Sequence, residues 1–329
     1  MPLAPGDLSA GARALPAPAK VNLGLRVQGR RADGYHLLES VFVPLDLQDE
    51  LSVAIEPAAS ASVSLAVEIA ADAPAGLAAE VPTGATNLAY RAAEAFLEAA
   101  GLTARVAIEL VKRTPAGGGL GGGSSDAGAV LRALSELAPG ALAGQMLFDL
   151  ALGLGADVPF FLDPRPALVG GIGDLIEPLE RLPPLCLVLA NPGTALSTAE
   201  VFAASDALGA ALTPSPPGST LRALSALVAS DPADVAARAA ALGALLENDL
   251  EAAAARLCPP VRRLQEQLRQ AGAMATGMSG SGATVFGVFA DSQSAAACLE
   301  TAAPGVRGWW RPARTAAAST LAATGRGDG

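Results

Sequence analysis

The stretch KRTPAGGGLGGGSSDAG, residues 112 to 128, places six glycines in the seven positions from Gly117 to Gly123 and follows them with two serines and an aspartate. An ordered glycine costs roughly 0.5–1 kcal/mol relative to alanine, so a chain that keeps six together needs bare backbone at that point. The preceding ARVAIELVKR alternates as a strand does, and the following SSDAGAVLRALSEL repeats Val130, Leu131, Leu134 and Leu137 at helical spacing. A glycine run between a strand and a helix start aims successive N–H groups at an anion, with the positive end of the helix dipole behind them. Ser124 and Ser125 are placed to cap that helix, to touch phosphate or to reach a magnesium ion. A flexible linker is the competing reading, and the tight strand-to-helix spacing disfavours it.

Two familiar phosphate loops are excluded. A Walker A loop needs Gly-Lys-Ser/Thr, and Gly123 runs into Ser124 with no lysine. Gly117, Gly119 and Gly122 spell GxGxxG, but any glycine run does so. The acidic residue that a dinucleotide site wants near position 140, at the end of a second parallel strand, falls in helical sequence.

From Ala17 onward AKVNLGLRV, LLESVFVPLDL, ELSVAIEP and SVSLAVEI read as short antiparallel strands. TNLAYRAAEAFLEAAG reads as a helix with Thr86 at its N-cap and Gly101 at its stop. A second helix, ALAGQMLFDLALGLG, leads into GADVPFFL. Beyond residue 168 come a strand, LCLVLANPG, alanine-rich helices between 197 and 271, and a second glycine loop with its strand, GMSGSGATVFGVF. Strands first and helices grouped later predict an α+β chain of two domains without internal repeats. Residues 1 to 15 and 312 to 329 are small, polar and aperiodic, and are expected to be mobile.

A net charge of −10 and a pI near 4.7 exclude a general nucleic-acid or membrane-surface binder, which needs a basic face. No long uncharged apolar run is present and the N-terminus lacks a secretory layout, so the expected location is the cytoplasm. Cys186, Cys258 and Cys298 have neither disulfide-framework nor zinc spacing. The chain has only two lysines, Lys20 and Lys112. In so arginine-rich a sequence a retained lysine hints at a place where a compact ammonium is wanted; two leftover surface lysines are the competing reading, more so for Lys112.

PAGGGLGGGSSDAG, with PAPAKVNLGL near the N-terminus and GMSGSGATVFGVF near the C-terminus, resembles the three motifs of the GHMP kinases, ATP-dependent kinases of small alcohols. ADGYH at 32 to 36, with GADVPFFL and TNLAYRAAEAF, is similar to the branch whose acceptor is a cytidine-diphosphate-linked alcohol of non-mevalonate isoprenoid synthesis. The match spans roughly residues 16 to 310. It implies an N-terminal domain of the ribosomal protein S5 domain 2 type over 16–168, a ferredoxin-like C-terminal domain over 169–311, and an active cleft between them.

Residue by residue, the resemblance implies an ATP loop of Pro115, Ala116, Gly117, Gly118, Gly119, Leu120, Gly121, Gly122, Gly123, Ser124 and Ser125. It implies Asp157 as the base that takes the hydroxyl proton, and Lys20 as the partner that keeps it ionised. Asn22, two residues along the same strand face as Lys20, would contact the acceptor. Tyr35 and His36 would recognise the cytidine by ring stacking and polar-edge hydrogen bonds, with Thr198 and Phe202 lining the same pocket; an N-cap and a core aromatic are the plainer roles for that second pair. Ser279, Gly280, Ser281 and Gly282 would face the phosphates and the acceptor. Mg2+ is implied to bridge the nucleotide phosphates, with Ser124 and Ser125 as its nearest candidate ligands. Asp126 stands where the family's loop has asparagine, and is read as a helix-start residue favourable by roughly 0.3–1 kcal/mol. The expected partners are small molecules only, on a monomer or homodimer.

Overall fold

Hydrophobic alternation is strongest around AKVNLGLRV and SVFVPLDL, and there the chain forms a long antiparallel hairpin of β1 (Gly11–Arg30) and β2 (His36–Pro57). The structure is a computed structural model that describes residues 11–75, 77, 81–115, 117–209, 218–303 and 308–316. β3 (Ser62–Ile69) leads through α1 (Leu88–Ala100) to β4 (Ala104–Lys112), and β4 pairs with β2. β3 runs parallel to β4 rather than antiparallel as expected, because α1 carries the chain back to the same end of the sheet. Asn87, not Thr86, caps α1: its Oδ1 accepts from the Ala89 N–H at 2.9 Å. Gly101 closes the helix in the left-handed conformation, φ 63°, as glycine permits.

The glycine run follows β4 and opens α2 (Gly122–Leu137), after which come α3 (Gln145–Leu154) and a 3₁₀ turn, Pro159–Leu162. β5 (Ala167–Gly171) and β6 (Leu175–Pro178) then complete the first sheet, whose order is β3-β4-β2-β5-β6 with β1 paired to β2. A domain border at 168 would therefore cut this sheet; β5 and β6, too short to stand out in the sequence, carry it to Pro178. α1 and α2 cover one face, burying Phe96, Val130 and Leu134 against Val53, Val106 and Ile108.

The second sheet is built from β7 (Cys186–Asn191), β8 (Ala275–Met278), β9 (Val285–Phe289) and β10 (Trp309–Arg314) in the order β10-β7-β9-β8, all neighbours antiparallel. Between β7 and β8 lie α4 (Thr198–Leu208), α5 (Ser219–Ala229), α6 (Val235–Leu245), α7 (Glu251–Leu257) and α8 (Pro260–Gln270); α9 (Ser292–Ala302) links β9 to β10. This is the ferredoxin-like arrangement with one helical connection expanded.

Parts of both ends expected to be mobile are paired into the fold. Residues 11–15 pair with Leu51–Ile55, and β10 pairs with β7 through Arg314. Chain beyond it is tied too, since the Ala316 N–H donates to the Pro44 carbonyl at 2.8 Å. The expectation for 1–10 and 317–329 lies outside the described residues. The two sheets share one core, in which Val41, Val43 and Leu45 of β2 pack with Leu187, Leu189 and Phe286 of the second sheet.

Candidate active site

Strand periodicity divides the residues of β1. Ala19, Val21 and Leu23 enter the core, so Lys20 and Asn22 face the other way, into a cleft of about 840 Å³ between the two sheets. An irregularity in β1–β2 register falls between Pro18 and Lys20, and the Lys20 N–H donates to the Leu120 carbonyl of the glycine loop at 2.9 Å. Lys20 is almost fully buried, with 2 % exposure. Its Nζ lies 2.6 Å from Asn22 Oδ1, 3.3 Å from Asp157 Oδ2 and 4.5 Å from the centre of the Phe42 ring. Asp157 stands just before the 3₁₀ turn and opens to the cleft with one third of its side chain exposed. Asn22 is fixed in turn: its Nδ2 donates to Ser40 Oγ at 2.9 Å, and Ser40 donates to the Gly24 carbonyl.

Opposite this pair the two glycine loops meet back to back. Ser279 Oγ donates to the Gly119 carbonyl at 2.8 Å, and the Thr284 N–H to the Gly118 carbonyl at 3.2 Å. Gly119 has φ +77°, and a Cβ there would sit 2.1 Å from the Ser279 carbonyl oxygen. Only glycine fits. Pro115, Gly117, Gly118, Gly119 and Gly121–Ser124 line the cleft, whereas Leu120 is buried beneath the loop and Ser125 beneath the helix start. Ala116 lies outside the described residues. Neither serine caps α2, whose N-cap is Gly121. Gly280 and Ser281 line the cleft; Ser279 and Gly282 support them from behind, the Gly282 N–H donating to the Ser279 carbonyl.

Asp126 requires a correction. It is a buried residue beyond the first turn of α2, not a helix-start residue. Lys112 Nζ donates to its Oδ2 at 2.6 Å and to Asp49 Oδ2 at 2.5 Å. Burial works against the charge of Lys112, but the carboxylates of Asp126 and Asp49 outweigh it and hold its pKa above the usual lysine range. Burial pushes the Asp126 carboxyl up to about 8, with Lys112 only partly countering. The group ties the end of β4 to α2 across the base of the glycine loop.

At the far end of the cleft, Tyr35 projects 63 % exposed from the turn between β1 and β2. His36 stacks on Phe202 of α4, ring centres 4.5 Å apart and planes 18° apart. Thr198 opens α4 just after its N-cap, Ser197, and its Oγ1 lies 2.9 Å from Ser281 Oγ. All four residues line the same cleft as Lys20 and Asp157.

Sequence reasoning passed over Asn248. Its Nδ2 donates to the carbonyls of Met278 at 2.9 Å and Gly280 at 2.8 Å, and its backbone bridges to Leu25 of β1. One side chain thus sets the second glycine loop against the strand that carries Lys20. The only signal was a polar ENDL break in an alanine-rich run.

A glycine loop backed by a second glycine loop, facing a lysine–aspartate pair across a cleft between S5-like and ferredoxin-like domains, is the arrangement of a small-molecule kinase of the GHMP class. The chain matches the family descriptions GHMP kinases N terminal domain over residues 87–164 and GHMP kinases C terminal over 223–303. It is 39% identical over 301 residues to a 4-diphosphocytidyl-2-C-methyl-D-erythritol kinase of Citrifermentans bemidjiense, covering 90% of this chain and 96% of that one. A crystal structure of 4-(cytidine 5'-diphospho)-2C-methyl-D-erythritol kinase superposes with a TM-score of 0.69 at 37% identity, covering 92% of this chain and 99% of the other. A homoserine kinase from Cytophaga hutchinsonii, TM-score 0.65 at 18% identity over 93% and 95% of the two chains, shares the fold. This chain belongs to the 4-diphosphocytidyl-2-C-methyl-D-erythritol kinase family.

Proposed function

We propose that the protein transfers the γ-phosphoryl group of ATP to the 2-hydroxyl of 4-diphosphocytidyl-2-C-methyl-D-erythritol, giving the 2-phosphate and ADP, in non-mevalonate isoprenoid precursor synthesis. The observation that carries this reading is one cleft holding three chemistries: a glycine loop for phosphates, a Lys20–Asp157 pair, and an aromatic end formed by Tyr35, His36 and Phe202. Phosphoryl transfer needs little covalent help from protein; it needs positioning, charge compensation and an acceptor for the hydroxyl proton.

Asp157 Oδ2 is the proton acceptor, 3.3 Å from the Lys20 ammonium. Lys20 is held by Asn22 and Phe42, so its charge is already aimed and costs no reorganisation as negative charge shifts during transfer. Backbone N–H groups of Gly117–Gly123 receive the nucleotide phosphates at the start of α2. Ser124 and Asp157 supply the kind of oxygen donors that a nucleotide-borne Mg2+ accepts, and that ion would offset charge on the β- and γ-phosphates. Tyr35 and the His36 segment receive the cytidine, with Thr198 and Phe202 behind them. None of the described helices is long and apolar enough to cross a membrane; the reaction's reactants suit the cytoplasm.

ADP release should be measured with ATP, magnesium and 4-diphosphocytidyl-2-C-methyl-D-erythritol, beside the Asp157→Asn variant. Turnover lost in the variant while ATP still binds supports substrate and base together; turnover with homoserine or mevalonate, and none with the cytidine compound, would overturn the substrate assignment.

A further inference from the structure

Asp206, on α4, has no role in the reading above. One of its carboxylate oxygens lies 2.9 Å from His36 Nε2, and the other 3.3 Å from a guanidinium nitrogen of Arg30. Arg30 and His36 are register partners, the last pair of the β1–β2 hairpin before the turn that carries Tyr35. A single carboxylate from the second domain therefore grips both strands at the base of that turn.

The turn has its own internal bonds. The Arg31 N–H donates to the Tyr35 carbonyl at 2.7 Å, the Gly34 N–H to the Arg31 carbonyl at 3.0 Å, and Arg30 Nε to the Gly34 carbonyl at 3.0 Å. These fix its shape but not its place relative to α4. That place depends on the His36–Phe202 stack and on Asp206, which is one third exposed and lines the cleft beside them. Bonds to a carboxylate are the stronger of these ties.

We propose that Asp206 is a positioning residue for the nucleoside end of the cleft: it locks the Tyr35–His36 turn of the first domain onto α4 of the second, so both walls stand in place before the nucleoside arrives. A wall ordered in advance spares the ligand that ordering cost. The inference rests on the reading that this end of the cleft takes cytidine.

The test is calorimetric binding of CMP and, separately, of ATP to wild type, Asp206→Ala, Asp206→Asn and Asp206→Glu, with steady-state kinetics on the cytidine-diphosphate substrate. Loss of a charge-assisted bond predicts a CMP Kd raised about tenfold in Asp206→Ala. ATP affinity should hold, the substrate KM should rise while kcat stays, and Asp206→Glu should recover part of the loss. An unchanged CMP Kd in Asp206→Ala overturns the inference alone. So does a fall in kcat and ATP affinity shared by Asp206→Asn, the mark of a structural residue. If wild type binds ATP but not CMP, the functional reading itself falls and takes the inference with it.

Discussion

Asparagine in place of Asp126 should make the protein less sensitive to pH rather than weaker. Lys112 Nζ is shared by two buried carboxylates. Asp49 has further donors in the N–H groups of Arg113 at 2.6 Å and Thr114 at 2.8 Å, whereas Asp126 Oδ1 is buried with no partner. One ammonium cannot offset two charges in a dry site, so burial raises the Asp126 carboxyl from 3.8 to about 8. A carboxyl whose pKa is higher folded than unfolded binds an extra proton in the native state between the two values. Stability is then fully present below the unfolded pKa and lost as pH rises toward the folded one.

One proton of difference corresponds to about 1.4 kcal/mol per pH unit. Urea unfolding of wild type and Asp126→Asn at intervals from about pH 5 to pH 9 measures it: the difference should move toward the variant by about 1.4 kcal/mol per unit up to about pH 7, then flatten past about pH 8. Lys112 does not confuse the window, because its raised pKa makes its contribution fade only above the ordinary lysine range. Parallel curves would refute the reasoning, since Asp126 would then be ionised and fully paired across the range. Lys112→Met supplies the contrast. It removes the donor shared by the buried Asp49 and Asp126 side chains and should cost about 3–5 kcal/mol at neutral pH.

Three further outcomes follow from the cleft. Asp157→Asn should lower kcat by about a hundred- to ten-thousandfold, with ATP affinity kept by titration. Gly119→Ala should destabilise the domain junction and lower Tm, because the added Cβ meets the Ser279 carbonyl at 2.1 Å; Gly123→Ala, whose Cβ would meet nothing within 4 Å, should leave Tm at or above wild type while raising the ATP KM. Asn248→Ala should cost roughly 1–3 kcal/mol in denaturant unfolding, because the Met278 and Gly280 carbonyls lose their donor.

Local chemistry was legible and long-range pairing was not. The alternation around Lys20 predicted that Lys20 and Asn22 share a face, and they are joined at 2.6 Å. Helical spacing after Gly123 predicted α2. Periodicity says nothing, however, about which carboxylate meets Lys112, because Asp49 is 63 residues away and comes from another strand. The same limit hid Asp206, which meets His36 across 170 residues, and Asn248, which bridges to Leu25 of β1 from the segment between α6 and α7. β5 and β6 were missed for a different reason: five- and four-residue strands give too few alternations to register, and only the edge that β2 offers β5, and β5 in turn offers β6, makes them strands.

The glycine run is explained only in part by phosphate. A loop selected for anion contact alone would need bare backbone where the ligand approaches, and Gly123, with open space where its Cβ would be, fits that description. The other close approaches are to protein. A Cβ at Gly118 would meet Asn191 Nδ2 and Thr284 Oγ1 at 2.9 Å, one at Gly119 the Ser279 carbonyl, and one at Gly122 the Thr114 side chain at 2.8 Å. Two of these three neighbourhoods belong to the second sheet and its loop. The run therefore lets two domains close to hydrogen-bonding distance where the two glycine loops meet, with Ser279 and Thr284 joined to it directly. Widening that junction by one methyl group would move the second glycine loop away from Lys20 and Asp157. On the function proposed above, glycine at 118 and 119 serves the alignment of the lysine–aspartate pair with the phosphates as much as it serves the phosphates themselves.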